Sequence, residues 1–409
     1  MCMYPLEDAL IVWGLADDAA NSPGPQPCVS TQQVPSCLQI RLSLTRKLWL
    51  STHQHQISPD TMNTAEVSQR HTSSLPTVVI IATGGTALGH ASSPQQRTNY
   101  TSAFYGIEKL VEASDVRKIA NIQVEAMQLF SKDSINITMG DLFKCSILVQ
   151  SELAKPGVVG GVFVHGTCTA EELAFFLDIT NKSDKPIVVM GAVLPFTSRS
   201  GDGPGKLFLS VVLACNGEAR GRGTMIVSGE QIWPARFTEK TDPNRLDAFE
   251  AKNSGPIGRF VGVQPEFFYP ASRPLGHRYI DIRQLDLPTE VPEVEILSSH
   301  QGVTSKMFKH AISLGYKGIV LAALSSGYWP DEALTEMDPG DAIVVVSGQT
   351  SSGYFASDGV SFGIPSGFLS ARKSRILLTL CLLLKMNRAA IRDLFGHKGE
   401  EVSEERIVA

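Results

Sequence analysis

The chain has no CxxC pair, and its seven cysteines form an odd set without metal-ligand spacing. Cys2, Cys28 and Cys37 fall in an irregular N-terminal stretch, and Cys145, Cys168, Cys215 and Cys381 in the patterned part. That favours reduced thiols in a cytosolic protein over a disulfide framework. His90, His165 and His277 are equally scattered, so no metal and no cofactor is implied. Neither GxGxxG nor GxxxxGK[ST] occurs, which removes the usual dinucleotide and nucleotide loops. Basic excess is lacking too: 36 Lys and Arg stand against 41 Asp and Glu, for a net charge of -5. Nothing in that balance points to a nucleic-acid or membrane partner. The apolar run Ile376 to Leu384, bounded by Arg375 and Lys385, is less than half a membrane span and reads as a buried helix. No charged n-region followed by an apolar h-region opens the chain. A secretory signal is therefore not expected, a cytoplasmic location is, and the sequons at Asn99, Asn136 and Asn181 carry little weight.

What is present is ordinary globular composition, 43% hydrophobic and 19% charged over 409 residues, enough for two domains with real cores. Residues 1–73 differ from the rest: rich in Pro, Ser and Gln, without sustained periodicity. Met62 opens a short polar run into the first strand. It reads as the true start, with residues 1–61 disordered or an artefact of the gene model.

From Leu75 short Val/Ile runs alternate with helical stretches, the signature of βαβ units and a parallel sheet. Strands are predicted over 77–82, 158–164, 186–191 and 223–227, and helices over 106–114, 140–154 and 170–178. Thr169 with Glu172 three residues on predicts a capping box. Prolines cluster over 270–292 and read as a linker. Beyond it, strands are expected over 294–297, 318–324 and 342–347, and a last long helix over 370–386 with Ser370 as N-cap. The expected architecture is a two-domain α/β protein. An extension (1–73) precedes a larger, mostly parallel sheet flanked by helices (74–272), a linker (273–292) and a smaller α/β domain (293–409).

Two elements carry chemistry. Thr83-Gly84-Gly85-Thr86 follows the first strand, and His165-Gly166-Thr167-Cys168-Thr169 follows the second. Each places a threonine hydroxyl at the carboxyl end of a parallel strand, where open α/β sheets hold ligands. Gly84 and Gly85 allow a sharp turn and leave amide N–H groups unblocked. A hydroxyl needs a nearby base to act as a nucleophile, so a plain strand-to-loop turn stays open as a reading. The polar loop 89–100 has the character of a lid, and Tyr100 at its end either carries a proton for Thr86 or simply packs. Lys240 is one of 36 basic residues. A lysine in a closed site can serve as a base, whereas one on the surface is solvated.

The order and spacing of the two threonine motifs, Asn99-Tyr100-Thr101, Ser131-Lys132-Asp133, Gly191-Ala192-Val193, Asp202-Gly203-Pro204, Thr238-Glu239-Lys240-Thr241 and Gly255-Pro256-Ile257-Gly258 resembles the bacterial-type L-asparaginase/glutaminase family. The resemblance runs from Leu75 to about Phe395. It implies carboxamide hydrolysis through an acyl-enzyme, with Thr86 as nucleophile and Tyr100 on the lid. It also implies Thr167 with its partner Lys240 on the scissile amide and water, and Ser131 on the substrate carboxylate. A small-molecule amide and a homodimer or homotetramer are implied as partners. The sequence departs from the family in a consistent direction. Cys168 replaces the aspartate of HGTDT, Lys132 a glutamine and Ser326 an asparagine, and the segment 351–355 lacks a glutamate. The ammonium-facing groups are the ones lost. Two missing charge-assisted hydrogen bonds lower affinity for free asparagine by about two to four decades. The expected substrate is therefore a carboxamide lacking a free α-amine, or one with extra negative charge. Two other readings stay open: a weak or inactive relative that binds a small acid or scaffolds a complex, and cysteine catalysis by Cys168 with His165.

Overall fold

Strands buried on both faces need continuous apolar, β-branched sequence, and β1 (Thr77–Gly84) meets that demand with all eight residues buried. The computed structural model describes residues 75–396, apart from 275, 284, 286–289 and 357–359. The extension expected over 1–73, the start proposed at Met62 and the chain beyond 396 lie outside the described residues. The described residues fall within one compact unit.

After β1 come α1 (Ile107–Ala113), β2 (Gln123–Lys132), α2 (Met139–Ala154), β3 (Val158–Val164), α3 (Ala170–Thr180), β4 (Ile187–Met190), α4 (Gly203–Cys215) and β5 (Thr224–Ser228). Short strands follow: β6 (Gln231–Pro234), β7 (Glu239–Lys240), β8 (Phe249–Glu250), β9 (Gly258–Val261) and β10 (Gln264–Phe267). Eight of these strands form one sheet in the order β10-β9-β6-β5-β4-β3-β1-β2. From β2 to β5 the pairing is parallel, and from β5 outward it is antiparallel. β7 and β8 form a separate two-stranded ribbon. The second lobe contains β11 (Val294–Ser298), α5 (Lys306–Ser313), β12 (Gly318–Ala323), α6 (Asp331–Thr335), β13 (Ile343–Gly348), β14 (Ile364–Pro365), α7 (Ala371–Leu383) and α8 (Arg388–Phe395). Its four strands are parallel in chain order.

Alternation along β1 divides the core. Val78, Ile80 and Ala82 pack with α1 and α4, whereas Val79 and Ile81 pack with α2 and α3. That second layer continues into α7 and the inner face of the smaller sheet through Val320, Val345, Ile376 and Leu380. The apolar run at 376–384 is therefore interlobe core. No helix among the described residues is long and apolar enough to cross a membrane.

Three differences from expectation have physical reasons. β2 was not foreseen because an edge strand is half-exposed and needs no apolar run. α4 was not foreseen because Gly203-Pro204-Gly205 is a poor helical start; Asp202 and Pro204 nevertheless open it. The capping box predicted at Thr169 does not form: Thr169 is the N-cap, but its hydroxyl lies on Ser134 O at 3.0 Å and His165 Nε2 at 3.0 Å. A capping box does form at Thr138 and Asp141, ahead of α2.

Gly160 and Gly161 sit side by side in β3 with opposite tolerances. A Cβ on Gly160 would overlap the Ala214 carbonyl of α4, whereas one on Gly161 would meet nothing nearer than Val149 Cγ2 at 3.3 Å. Gly160→Ala is expected to destabilise the fold by about 1–3 kcal/mol through overpacking, with Gly161→Ala clearly milder. Urea denaturation of the pair checks this, and equal losses would contradict the packing argument.

Candidate active site

The strand order reverses between β1 and β3, since β2 lies on one side of β1 and the remaining strands on the other. Such a reversal leaves a crevice at the carboxyl ends, and both threonine motifs leave the sheet there. Ala82 pairs with Val164, so the two loops start level. Gly84 and Gly85 have φ of 118° and 88°, open to glycine and strained for other residues. A Cβ on Gly84 would overlap Lys132 O, and one on Gly85 would overlap the Gly166 backbone. The two loops therefore touch main chain to main chain.

Beyond Gly85 the chain turns once, over Thr86 to Leu88, and Thr86 is buried. Tyr100 OH lies 2.8 Å from Thr86 Oγ1. The loop between them is pinned. His90 and Thr101 exchange two backbone hydrogen bonds, Ala103 N–H donates to Gly85 O, and Thr197 Oγ1 accepts from Ala91 N–H at 2.9 Å. At the second loop, Lys240 Nζ donates to Thr167 Oγ1 at 2.8 Å, and Thr167 is also buried. Gly191 closes over the Thr167 methyl. The 191–194 turn is held by Asp202, which accepts from Val193 and Leu194 N–H and pairs with the buried Lys206 at 2.7 Å.

His165 lies beneath the two loops. Its Nδ1 is 2.6 Å from Thr83 Oγ1 and its Nε2 is 3.0 Å from Thr169 Oγ1. Those hydroxyls also reach Val164 O and Ser134 O. A charged ring would satisfy all four contacts at once. Complete burial opposes the charge and prevails, pushing the imidazole pKa down to about 3. With both nitrogens occupied, His165 braces the turn and does not partner Cys168.

The expected substrate residues are less gathered. Ser131 is exposed near the end of β2. Lys132 Nζ turns to the buried Asp141, 2.7 Å away, and so its charge is compensated. Burial works to raise Asp141, but its hydrogen bonds to Lys132 and Thr138 outweigh this and hold its carboxyl below the usual range. Cys168 is a free, exposed thiol. Ser326 is exposed in the turn after β12, and among the described residues no hydrogen bond joins it to the threonine pairs. Gly353 N–H donates to Asn253 Oδ1 at 2.9 Å, which sets the shortened segment against the first lobe of the same chain. Among the described residues no His/Cys/Asp/Glu group could hold a metal ion.

Residues 77–273 match the model for the asparaginase N-terminal domain, and residues 293–395 the model for the glutaminase/asparaginase C-terminal domain. The chain belongs to the asparaginase family. The probable L-asparaginase 4 of Schizosaccharomyces pombe is 38% identical over 79% of this chain and 89% of that protein. L-asparaginase 2 of Escherichia coli is 31% identical over 79% of this chain and 93% of that protein. The crystal structure of a probable cytoplasmic L-asparaginase from Campylobacter jejuni superposes with a TM-score of 0.72. It is 30% identical, covering 78% of this chain and 99% of that one.

Within this asparaginase fold, sequence reasoning did not single out Glu171, Arg372 and Lys373. Glu171 Oε2 accepts from Lys240 N–H, Glu171 Oε1 accepts from Arg372, and Lys373 Nζ donates to Thr238 O. Only their side-chain identities were available as a signal, because the partners lie far apart in the chain.

The folded His165 pKa lies below its unfolded value of 6.5. Below pH 6.5 the unfolded chain takes up a proton that the folded chain refuses. This contribution to stability is full above pH 6.5 and is lost as pH falls from there toward about 3, by up to about 1.4 kcal/mol per pH unit. His165→Gln is expected to flatten that part of the stability profile, measured by urea denaturation from pH 7 to 4. Parallel profiles for the two proteins would argue against a neutral buried ring.

Proposed function

We propose that this asparaginase-family protein hydrolyses a carboxamide to a carboxylic acid and ammonia, with Thr86 as nucleophile. The observation that carries the reading is the pair of short contacts at the strand-order reversal: Thr86 Oγ1 to Tyr100 OH, and Thr167 Oγ1 to Lys240 Nζ, both 2.8 Å. Each nucleophile-side hydroxyl has a group within proton-transfer reach.

Thr86 Oγ1 attacks the amide carbon while its proton passes to Tyr100 and on to the leaving nitrogen. The C–N bond breaks and ammonia departs, leaving an ester on Thr86. Water, held by Thr167 and Lys240, attacks that ester. The C–O bond to Thr86 breaks, and Thr86 Oγ1 regains its proton. Gly85 N–H is already taken by Lys132 O at 3.1 Å, so main-chain N–H groups around Thr167 are the ones proposed to stabilise the oxyanion.

The substrate reading follows from charge. Cys168 is exposed where the family motif has a carboxylate, so a free α-ammonium finds no counter-ion from that position. The compensated Lys132 gives no support to a requirement for extra negative charge. The favoured substrate is accordingly an amide with no free α-amine. The weak or non-catalytic alternative rests on the same Cys168.

Ammonia release from succinamate, N-acetyl-asparagine and asparagine tests this. Thr86→Ala is expected to lower turnover at least about 10³-fold. Cys168→Asp is expected to improve kcat/KM for asparagine about ten- to a hundred-fold, the worth of one charge-assisted hydrogen bond. A wild-type preference for asparagine would sink the shifted substrate, and no release from any amide would favour the non-catalytic reading.

A further inference from the structure

Lys240 reaches Thr167 from an unusual support. β7 is only two residues long and pairs on one side alone, with Lys240 opposite Phe249 and Thr241 N–H donating to Ala248 O. The Lys240 N–H points to the other side, where no strand lies. Glu171 Oε2 takes it at 2.5 Å. Its other oxygen, Oε1, accepts from Arg372 Nη1 of α7 at 3.1 Å, and the carboxylate is only 3% exposed. Two residues before Lys240, the buried Lys373 Nζ donates to Thr238 O at 2.5 Å. Among the described residues no carboxylate pairs with the Lys240 ammonium itself.

We infer that Glu171 is a positioning residue: it fixes the Lys240 main chain and thereby sets the Lys240–Thr167 contact. The inference rests on the catalytic reading given above. Its logic is a closed ring of contacts. Thr167 and Glu171 lie four residues apart, on the passage from β3 into α3. The Lys240 side chain binds the first and the Lys240 main chain binds the second. A lysine has four rotatable side-chain bonds, so without its anchored backbone the ammonium would sample many positions.

A simpler explanation must be separated from this one. Glu171 and Glu172 both stand in the first turn of α3, where negative charge suits the helix dipole. Both also tie α3 to α7, since Glu172 Oε2 meets Arg375 at 3.1 Å. Glu172 makes the interlobe contact without touching Lys240, which makes it the internal control. Arg372 contributes from the far side by holding the Glu171 carboxylate. The buried Lys373 and the half-buried Glu239 complete the charges facing it.

The experiment compares Glu171→Met, Glu171→Gln and Glu172→Ala by crystal structure, by melting temperature and by steady-state kinetics on the best amide. Glu171→Met keeps the volume and removes the acceptor. It is expected to move Lys240 Nζ out of hydrogen-bond range of Thr167 and to lower kcat about 10²-fold, as small misplacements do, with KM within about threefold. Glu171→Gln still offers an oxygen to Lys240 N–H and is expected to recover most of the loss. Glu172→Ala is expected to lower the melting temperature while kcat stays near wild type. If Glu171→Met does not fold, Arg372→Met at the exposed end of the pair is expected to change kcat in the same direction by a smaller factor. An unmoved Lys240 with unchanged kcat, or equal kcat losses in the Glu171 and Glu172 variants, would overturn the inference. If the wild type hydrolyses no amide, the catalytic reading fails, and the Lys240–Thr167 distance in the variant structures still decides the role of Glu171.

Discussion

Everything at the candidate site depends on two backbones meeting without side chains between them. Gly85 and Gly166 come into van der Waals contact where the strand order reverses, and Gly84 lies against the Lys132 carbonyl. That approach brings together the two loops, from neighbouring strands, that carry Thr86 and Thr167. It also excludes any Cβ, because both glycines of the first motif have positive φ. The steric and conformational demands coincide at the same residues. His165 fills the space beneath, neutral because burial outweighs the hydrogen-bonding gain of a second N–H.

Buried charge is the second organising feature. Burying an isolated ion costs several kcal/mol even after relaxation, so such groups persist only with partners. Lys206 has Asp202 at 2.7 Å and two carbonyls, and it locks the turn that covers Thr167. Lys373 is wholly enclosed, and its burial lowers its pKa to about 8 against the opposing pull of Glu171 and Glu239. Burial raises the Glu239 carboxyl as well, despite Lys373 nearby. Glu171, Lys373 and Glu239 lie on α3, α7 and the β7 ribbon. The second lobe is thereby linked to the lysine that serves the first.

Much of this was legible in the chain. β1 and β3 announce themselves as apolar runs because they are buried on both faces, and the glycine–threonine clusters stand directly behind them. The pairs Thr86–Tyr100 and Thr167–Lys240 could be named, the second across 73 residues, only because the whole spacing resembled a family. The rest was hidden for identifiable reasons. β2 is an edge strand and alternates too weakly to be seen. Thr169 looked like a capping residue, but His165 and Ser134 O compete for the same hydroxyl. Glu171 and Arg372 are 201 residues apart, and neither type nor spacing marks them as a pair. The Lys132–Asp141 ion pair was not visible in the sequence, because Asp141 becomes a neighbour of Lys132 only once α2 is capped.

The divergence of the site has a physical direction. The groups proposed for bond-breaking are buried and interlocked: Thr86 is 7% exposed, Thr167 is 5% exposed, and each is held by a second side chain. Altering them removes a partner from Tyr100 or Lys240, both half-buried, which costs stability as well as chemistry. Cys168, Ser131 and Ser326 are exposed and make no such contacts among the described residues. A carboxylate-to-thiol replacement of the kind proposed at Cys168 therefore asks little of the fold. Where the chemistry is embedded and the recognition lies at the surface, the fold tolerates substitution more readily in recognition. That is a physical argument for the proposed reading, in which the amide bond stays the target and the group beside it changes.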